Sequence, residues 1–255
     1  MIEDPGNLWL VHPLSDRLLR PALRLGIHPN TVSFAGMGFG ALAGAFYWHW
    51  QNPAAVVAGF LCMAAWHVMD GLDGKLARAS GKASPLGRLI DGLCDYMVFF
   101  LVLLPIVLTF DDWLPVLGLA VVSGLCHAVQ SAWYEGEREA WKRRARGVFQ
   151  VEPRRPARFW GERLYNSVEA RLGGGTRAID TRLAAEPALL ESYLRATAPQ
   201  LRRLSVLSAN NRTIVIALAC LLGDPRLYWI WEIAVLSLVA LVLARRLRRC
   251  ETGVA

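Results

Sequence analysis

Long apolar runs constrain the fold of this chain more than any other feature of its sequence. Several of them reach the ~20 residues that a helix needs to cross the hydrocarbon core of a bilayer. A backbone in lipid has to satisfy its own hydrogen bonds, so runs of this length form helices. Hydrophobic residues make up 54% of the chain and the mean hydropathy is positive, which excludes an ordinary soluble domain. The sequence therefore predicts an all-α, polytopic membrane bundle.

We expect about six transmembrane helices in a single membrane domain that covers residues 1–255. The predicted spans are residues 31–50, 54–77, 86–109, 113–133, 209–223 and 227–244. Around them the sequence indicates four parts, which are an N-terminal interfacial segment (1–30), the first four spans (31–134), a basic insert between the fourth and fifth spans (135–207), and the last two spans with a basic tail (208–255).

The segment before the first span has the pattern of an amphipathic helix. Between residues 7 and 25, Trp and Leu side chains are interspersed with Arg17, Arg20 and Arg24. This combination is typical of a helix that lies at the surface of a membrane.

The first span carries small residues at helical spacing. Gly36, Gly40 and Gly44 step by four, which places them on one face, and we expect this face to pack against another span. Alternatively, the small residues of this face leave space for a nucleotide or an acyl chain. Just before the span, Pro29 is expected to set a turn and Asn30 to cap the helix.

Residues 135–207 carry most of the excess positive charge. They hold 15 of the 28 Lys and Arg residues and nine of the 21 Asp and Glu residues. Leucines at helical spacing between 181 and 205 predict one or two amphipathic helices on the membrane surface, where arginines are attracted to anionic headgroups. No nucleic-acid recognition motif accompanies the charge, so nucleic acid is not an expected partner. The positive-inside rule places this insert, and both termini, in the cytoplasm.

Four aspartates lie where the second span ends and the third begins. A charged residue in a membrane segment costs roughly 3 kcal/mol or more and marks a functional site. Asp70 and Asp73 share one helix face because they are three apart, and Asp91 and Asp95 share a face of the next helix because they are four apart. The connector over 80–85 contains Gly and Pro, which end helices. The two helices are therefore expected to be antiparallel neighbours with facing carboxylates.

This arrangement predicts a metal site. Carboxylates held close together repel each other unless they are protonated or bridged by cations. Oxygen ligands without His or Cys suit hard ions such as Mg²⁺, Mn²⁺ or Ca²⁺, and Mg²⁺ commonly shares its coordination with substrate phosphates. We therefore expect a divalent-metal site for a phosphorylated ligand, with Arg78 as a further phosphate contact.

The pattern D-x2-D-G-x2-A-R-x8-G-x3-D-x3-D over residues 70–95 resembles the signature of the CDP-alcohol phosphotransferases, and every fixed position is present. The resemblance implies an integral membrane enzyme, commonly a homodimer, that depends on two Mg²⁺ or Mn²⁺ ions. It implies transfer of a substituted phosphoryl group from a CDP-alcohol to an acceptor hydroxyl, with release of CMP. A cytoplasmic active site, as the positive-inside rule predicts, agrees with the use of a cytidine nucleotide.

The resemblance also implies roles for individual residues. Asp70, Asp73 and Asp91 would hold the metal ions, and Asp95 would both complete the metal set and act as the general base. The residues implied to bind the CDP moiety are Gly74, Ala77, Arg78 and Gly87. The pair Pro29-Asn30 resembles the start of the family's first span, whose end lies close to the nucleotide.

The identity of donor and acceptor stays open. Either CDP-diacylglycerol donates a phosphatidyl group to a small polar alcohol, which we favour from the compact six-span plan, or a soluble donor such as CDP-choline or CDP-ethanolamine modifies diacylglycerol or a ceramide-like lipid. The strings around Asp73-Gly74-Lys75 and Ser84-Pro85-Leu86-Gly87 resemble the second branch. Candidate contacts for an acceptor phosphate are Arg202, Arg203 and Arg212.

A protein of another class could use the same carboxylates for a different purpose. A non-enzymatic cation transporter or scaffold would keep them for cation passage. Transporters often show repeated halves with broken helices, and no such internal repeat is visible here. The arrangement of Arg78 and Gly87 also has no obvious use in a cation path, so the enzyme interpretation is preferred.

Overall fold

The computed structural model describes residues 2–150 and 177–254. These described residues are 84% helical and contain no strand. This confirms the all-α prediction. The remainder of the basic insert, residues 151–176, lies outside the described residues.

The described helices are numbered here in chain order. A π-helical turn, Asn7–Val11, leads into α1. The helices are α1 (His12–Arg24), α2 (Pro29–Tyr47), α3 (Pro53–Ala79), α4 (Pro85–Leu108), α5 (Trp113–Ala145), α6 (Ala178–Ala185), α7 (Leu189–Leu204), α8 (Ala209–Leu221), α9 (Arg226–Ile230) and α10 (Ser237–Gly253). A second π-helical turn, Trp231–Leu236, connects α9 to α10.

Five helical segments among the described residues are long and apolar enough to cross a membrane. They are Pro53–Ala79, Leu86–Leu108, Trp113–Ala145, Leu189–Leu221 and Arg226–Gly253. The chain is therefore a multi-pass membrane protein. The predicted first span forms α2 but is not one of the five, because Gly, Ser and Asn occupy many positions that larger apolar residues fill in the others. The fourth predicted span continues as helix to Ala145, twelve residues beyond its expected end at 133.

Prolines and polar caps set the beginnings of α2, α3 and α4. Each of these helices has Pro as its first residue, where the missing N–H has no intrahelical partner to lose. The side chains of Asn52 and Ser84 accept backbone N–H groups at the starts of α3 and α4, at 3.0 Å in both cases. The cap of α2 is His28, whose Nδ1 accepts the N–H of Asn30. The prediction that Asn30 caps this helix is wrong, because the helix begins one residue earlier, at Pro29.

The described chain divides into two compact units. The first unit consists of residues 5–123 and 209–231, and it contains α1 to α4 with α8 and α9. Its core is built from buried side chains such as Tyr47, Met63, Val98 and Trp229.

The glycine face of α2 packs closely within the first unit, as predicted. A Cβ at Gly36 would lie 3.2 Å from Cβ of Met69 on α3, and one at Gly40 would lie 2.7 Å from Val98 on α4. A Cβ at Gly44 would overlap the carbonyl oxygen of Leu101. Small residues therefore let α2 approach both neighbouring helices.

The second unit consists of residues 2–4, 124–150, 177–208 and 232–254. Its centre is a buried ion pair in which Arg144 donates from Nε and Nη2 to the two oxygens of Asp180, at 2.8 and 2.9 Å. Arg144 also donates to the hydroxyl of Tyr193 at 2.7 Å. Part of the charge of the basic insert is thus neutralised inside the protein and is not presented to a membrane surface.

Candidate active site

Helices α3 and α4 bring the aspartates of residues 70–95 together. α3 ends at Ala79, and Gly81 follows with φ +68°, a left-handed conformation that glycine adopts without strain. Ser84 then caps α4. This short connection reverses the chain, so that aspartates from the end of α3 and the start of α4 meet, as the sequence predicts.

Three of the four aspartates form a compact cluster. Asp70, Asp91 and Asp95 each offer one carboxylate oxygen, and these atoms all lie within 4.8 Å of one another. The three residues are half-buried. All donors are carboxylate oxygens, which is the donor set that suits a hard divalent cation such as Mg²⁺ or Mn²⁺.

Asp73 is buried beside this cluster. Its carboxyl group lies within hydrogen-bonding distance of the carboxyl group of Asp91. The hydroxyl of Ser33, on α2, donates a short hydrogen bond to Oδ2 of Asp73. Two carboxyl groups at such a distance need a shared proton or a cation between them. The structure therefore brings all four aspartates into one acidic site, in a donor arrangement that fits a divalent metal ion.

A cavity of about 350 Å³ opens beside Asp73 and Asp91. The four residues expected to bind the CDP moiety, Gly74, Ala77, Arg78 and Gly87, all line it. A Cβ at Gly74 would meet only the guanidinium nitrogens of Arg78, the nearest at 3.4 Å. The absence of a side chain at this position therefore keeps the cavity wall at the helix backbone.

Several cavity residues were not expected from the motif. Ser33, Lys82, Ser84 and Arg88 line the cavity together with the Pro29-Asn30 pair. Lys82 and Arg88 add positive charge to that of Arg78, which suits an anionic ligand. A signal for Ser33 was present in the sequence, because it follows Asn30 by three residues and so lies on the same face of α2.

The three candidate arginines for an acceptor phosphate lie in different environments. Arg212, on α8, is completely buried in the first unit and is close enough to Tyr96 to interact with it electrostatically. Tyr96 follows Asp95 directly in α4. Arg202 and Arg203 are exposed at the end of α7 in the second unit. Of these three arginines, Arg212 is the one that belongs to the same unit as the acidic site.

His67 serves the packing around the site. Its Nε2 lies 2.9 Å from the hydroxyl of Thr213 on α8, and its ring packs against Trp66 at 4.4 Å between centroids. The hydrogen bond joins α3 to α8 one turn before Asp70.

Comparisons with known proteins agree with the site. Residues 27–149 match the family model described as CDP-alcohol phosphatidyltransferase. The chain is also similar to archaetidylinositol phosphate synthase of Pyrococcus horikoshii, with 35% identity over 80 residues. That alignment covers 31% of this chain and 40% of the relative, so the chain spans less than half the length of this curated relative. No solved structure matches the chain.

Proposed function

Because residues 27–149 match the family model described as CDP-alcohol phosphatidyltransferase, we propose that this protein transfers a substituted phosphate group from a CDP-alcohol to an acceptor hydroxyl and releases CMP. The observation that carries this proposal is the joint position of the acidic cluster and the cavity. Asp73 and Asp91 line the cavity, and Asp91 also belongs to the cluster with Asp70 and Asp95. A diphosphate in the cavity would therefore lie against the carboxylates.

Asp70, Asp73, Asp91 and Asp95 are the residues that would hold divalent cations, Mg²⁺ or Mn²⁺, and two ions fit a diphosphate substrate. When bound, such ions neutralise the charge of the diphosphate and of the attacking and leaving oxygens. The positive side chains of Arg78, Lys82 and Arg88 supply further charge for the nucleotide. Positioning and charge neutralisation account for most of the catalysis in phosphoryl transfer.

Asp95 is the proposed general base. It accepts the proton of the acceptor hydroxyl while that oxygen bonds to the phosphorus that carries the alcohol, and the bond from this phosphorus to the CMP oxygen breaks. General-base catalysis of this kind contributes roughly 10²–10⁴-fold. The position of Asp95, one helical turn after Asp91 on the same face, supports the role.

The favoured donor is CDP-diacylglycerol or a similar lipid-linked nucleotide, and the favoured acceptor is a small alcohol that carries a phosphate. The relative from Pyrococcus is named for the synthesis of archaetidylinositol phosphate, a product with a lipid and an inositol phosphate. Arg212 is the proposed contact for the acceptor phosphate, since a guanidinium binds phosphate oxygens well. Arg202 and Arg203 remain candidates for the same phosphate, although nothing in the structure favours them.

CMP release tests the proposal directly. The full chain is purified in lipid nanodiscs and given labelled CDP-diacylglycerol or CDP-choline with Mg²⁺, together with glycerol phosphate, inositol phosphate, serine or diacylglycerol. We expect CMP with CDP-diacylglycerol and a phosphorylated acceptor. CMP with CDP-choline and diacylglycerol would establish the head-group branch instead. No CMP from any donor would overturn the enzyme assignment and favour a cation transporter or scaffold.

The family resemblance and the charge distribution support two further proposals. The active site faces the cytoplasm, since the positive-inside rule orients basic loops to that side, and the protein forms a homodimer, which is the commonest symmetric assembly. The orientation of the active site is tested with a cysteine introduced at Lys82. Its labelling by a membrane-impermeant reagent is compared between inverted and right-side-out vesicles. Mass photometry in nanodiscs tests the second.

A further inference from the structure

Lys75 lies inside the acidic motif and yet does not line the cavity. Its ammonium group donates to the backbone oxygen of His12 at 3.2 Å, to Oγ of Ser15 at 2.8 Å and to Oδ1 of Asp16 at 2.7 Å. All three acceptors belong to α1. The charged side chain of Lys75, two residues after Asp73, thus binds to the N-terminal helix and not to the cavity.

Helical geometry explains why Lys75 points to α1. Lys75 follows Gly71 by four residues, so the two lie on one face of α3. Asp70, Asp73 and Ala77 lie on the other side of the helix, toward the site. At Gly71 a Cβ would come within 2.8 Å of Cγ1 of Val11, so the N-terminal segment lies directly against the backbone of α3. One face of α3 therefore forms the site, and the opposite face receives α1.

Apolar contacts strengthen this junction. Leu72 and Leu76 of α3 are buried in one cluster with Ala22 of α1 and Val32 of α2, and Leu19 packs against it. The N-terminal segment also reaches α8, because Asn210 donates from Nδ2 to Oδ1 of Asn7 at 2.9 Å. It thus contacts α3, which carries Asp70 and Asp73, and α8, which carries Arg212.

We propose that Lys75 is a positioning residue that fastens α1 to the rear of α3 and so holds Asp70 and Asp73 in register with Asp91 and Asp95. The role follows from the geometry of two helices. Metal binding requires the carboxylates of α3 and α4 to keep their separation. The contact between Lys75 and α1 restrains α3 from the face opposite the site.

This inference rests on the proposed function only where turnover is measured. Binding of Mn²⁺ alone reports directly on the spacing of the four carboxylates. Electron paramagnetic resonance of Mn²⁺ titrated into the purified full chain therefore measures the effect of Lys75 without any substrate.

The decisive variants are Lys75→Met, Lys75→Arg and the charge exchange Lys75→Asp with Asp16→Lys. We expect Lys75→Met to weaken Mn²⁺ binding about tenfold and to lower kcat about tenfold or more with little change in KM, because small displacements at a reacting centre are costly. Lys75→Arg should retain most of the Mn²⁺ affinity and most of the kcat. The charge exchange should recover at least half of the Mn²⁺ affinity that Lys75→Met loses, since it restores the contact with opposite charges.

Lys142→Met is the matched control. Lys142 also pairs with carboxylates, Glu3 at 3.2 Å and Glu139 at 3.5 Å, but it belongs to the second unit. We expect normal Mn²⁺ affinity in this variant. A general loss of folding would instead lower the melting temperature and the Mn²⁺ binding of both Met variants alike, and that result would overturn the proposal.

Two other outcomes would also overturn it. Wild-type Mn²⁺ affinity in Lys75→Met would show that the contact does not position the carboxylates. Failure of the charge exchange to recover affinity, with Lys75→Arg active, would assign the effect to positive charge near the site. If the wild-type protein released no CMP from any donor, the proposed function would fail, while the Mn²⁺ measurements would still decide the role of Lys75.

Discussion

Ser33 on α2 donates a buried hydrogen bond to Oδ2 of Asp73 on α3, forty residues further along the chain. This bond orients one carboxylate of the acidic site from outside the helical hairpin that carries all four aspartates. It also ties the glycine-faced helix α2 to the cavity, because both residues line it. The site is therefore assembled from three helices.

Removal of this hydroxyl should weaken the site. A hydrogen bond to a charged group is worth about 1.5–3 kcal/mol, so Ser33→Ala should reduce Mn²⁺ affinity about tenfold or more, as measured by electron paramagnetic resonance. Thr31→Ala removes a hydroxyl from an exposed position of the same helix and should have no effect. Equal affinities in the two variants would show that the hydrogen bond does not matter to the site.

Replacement of the proposed base should separate binding from turnover. Asp95→Asn keeps the size of the side chain and an oxygen atom, but it cannot accept the proton of the acceptor hydroxyl. We expect kcat for CMP release to fall at least about 100-fold, while nucleotide binding measured by calorimetry stays within a few fold. Asp111→Asn, an exposed change between α4 and α5, is the control. Full turnover in Asp95→Asn would remove Asp95 from the base role.

Chelation should abolish activity reversibly. EDTA is expected to stop CMP release, and added Mg²⁺ or Mn²⁺ to restore it, because the four carboxylates repel one another and a diphosphate without cations. The ion that restores the highest kcat/KM identifies the preferred metal. Undiminished CMP release in EDTA would contradict metal dependence.

Close packing of α2 makes a sharp prediction for paired glycine variants. Gly44→Ala places a methyl group against the carbonyl oxygen of Leu101 and should destabilise the protein by about 1–3 kcal/mol. Gly38→Ala, on the same helix with nothing within 4 Å of the new Cβ, should be neutral or stabilising by up to about 1 kcal/mol. Melting temperatures in one detergent compare the two. Similar melting temperatures would show that the glycine face can accommodate an added methyl group.

The buried ion pair of the second unit should make stability depend on pH. Burial by itself would raise the pKa of Asp180, but hydrogen bonds from Arg144 and from the backbone N–H of Arg177 lower it below its ordinary value. The pKa of Asp180 is lower in the folded than in the unfolded state. The ionised carboxylate therefore contributes its full stabilisation above the ordinary Asp pKa of about 3.9. This stabilisation is lost as the pH falls below that value through the folded-state pKa.

Asp180→Asn tests this dependence. It leaves Arg144 buried without its ionised partner and should cost about 3–5 kcal/mol near neutral pH, seen as a lower melting temperature. The difference from the wild type should shrink as the pH falls below about 4 and through the lower folded-state pKa, where the wild-type carboxyl takes up its proton. Glu191→Gln, which breaks the exposed pair with Arg195, should cost less than about 1 kcal/mol at any pH. A difference for Asp180→Asn that is independent of pH would contradict the linkage.

Much of this architecture can be predicted from local sequence. The helical fold follows from apolar runs in a chain that has to satisfy its backbone in lipid. The hairpin between α3 and α4 follows from Gly81 and Pro85, and the facing carboxylates follow from spacings of three and four. The small-residue face of α2 is also readable from its periodicity. Each of these features depends on neighbours within a few turns of one helix.

Other features depend on contacts between distant segments. Nothing near Ser33 in the sequence indicates a bond to Asp73, and nothing near Arg144 indicates a carboxylate at position 180. The expectation that Asn30 caps α2 failed because the helix begins at Pro29, and the ring of His28 accepts the N–H of Asn30 instead. The end of the fourth span was misplaced because charged residues after 133 continue the helix, and ion pairs such as that of Arg138 with Glu135 satisfy them.

The amino-acid sequence by itself determined that this is a helical membrane protein with four aspartates on two adjoining helices, since periodicity and hydropathy are local properties of the chain. Only the tertiary structure decided which side chains surround those aspartates. Ser33 reaches Asp73 from a helix forty residues earlier in the chain, and Lys75 contacts α1 on the opposite face of α3. These positions result from the packing of whole helix faces, which no short pattern encodes.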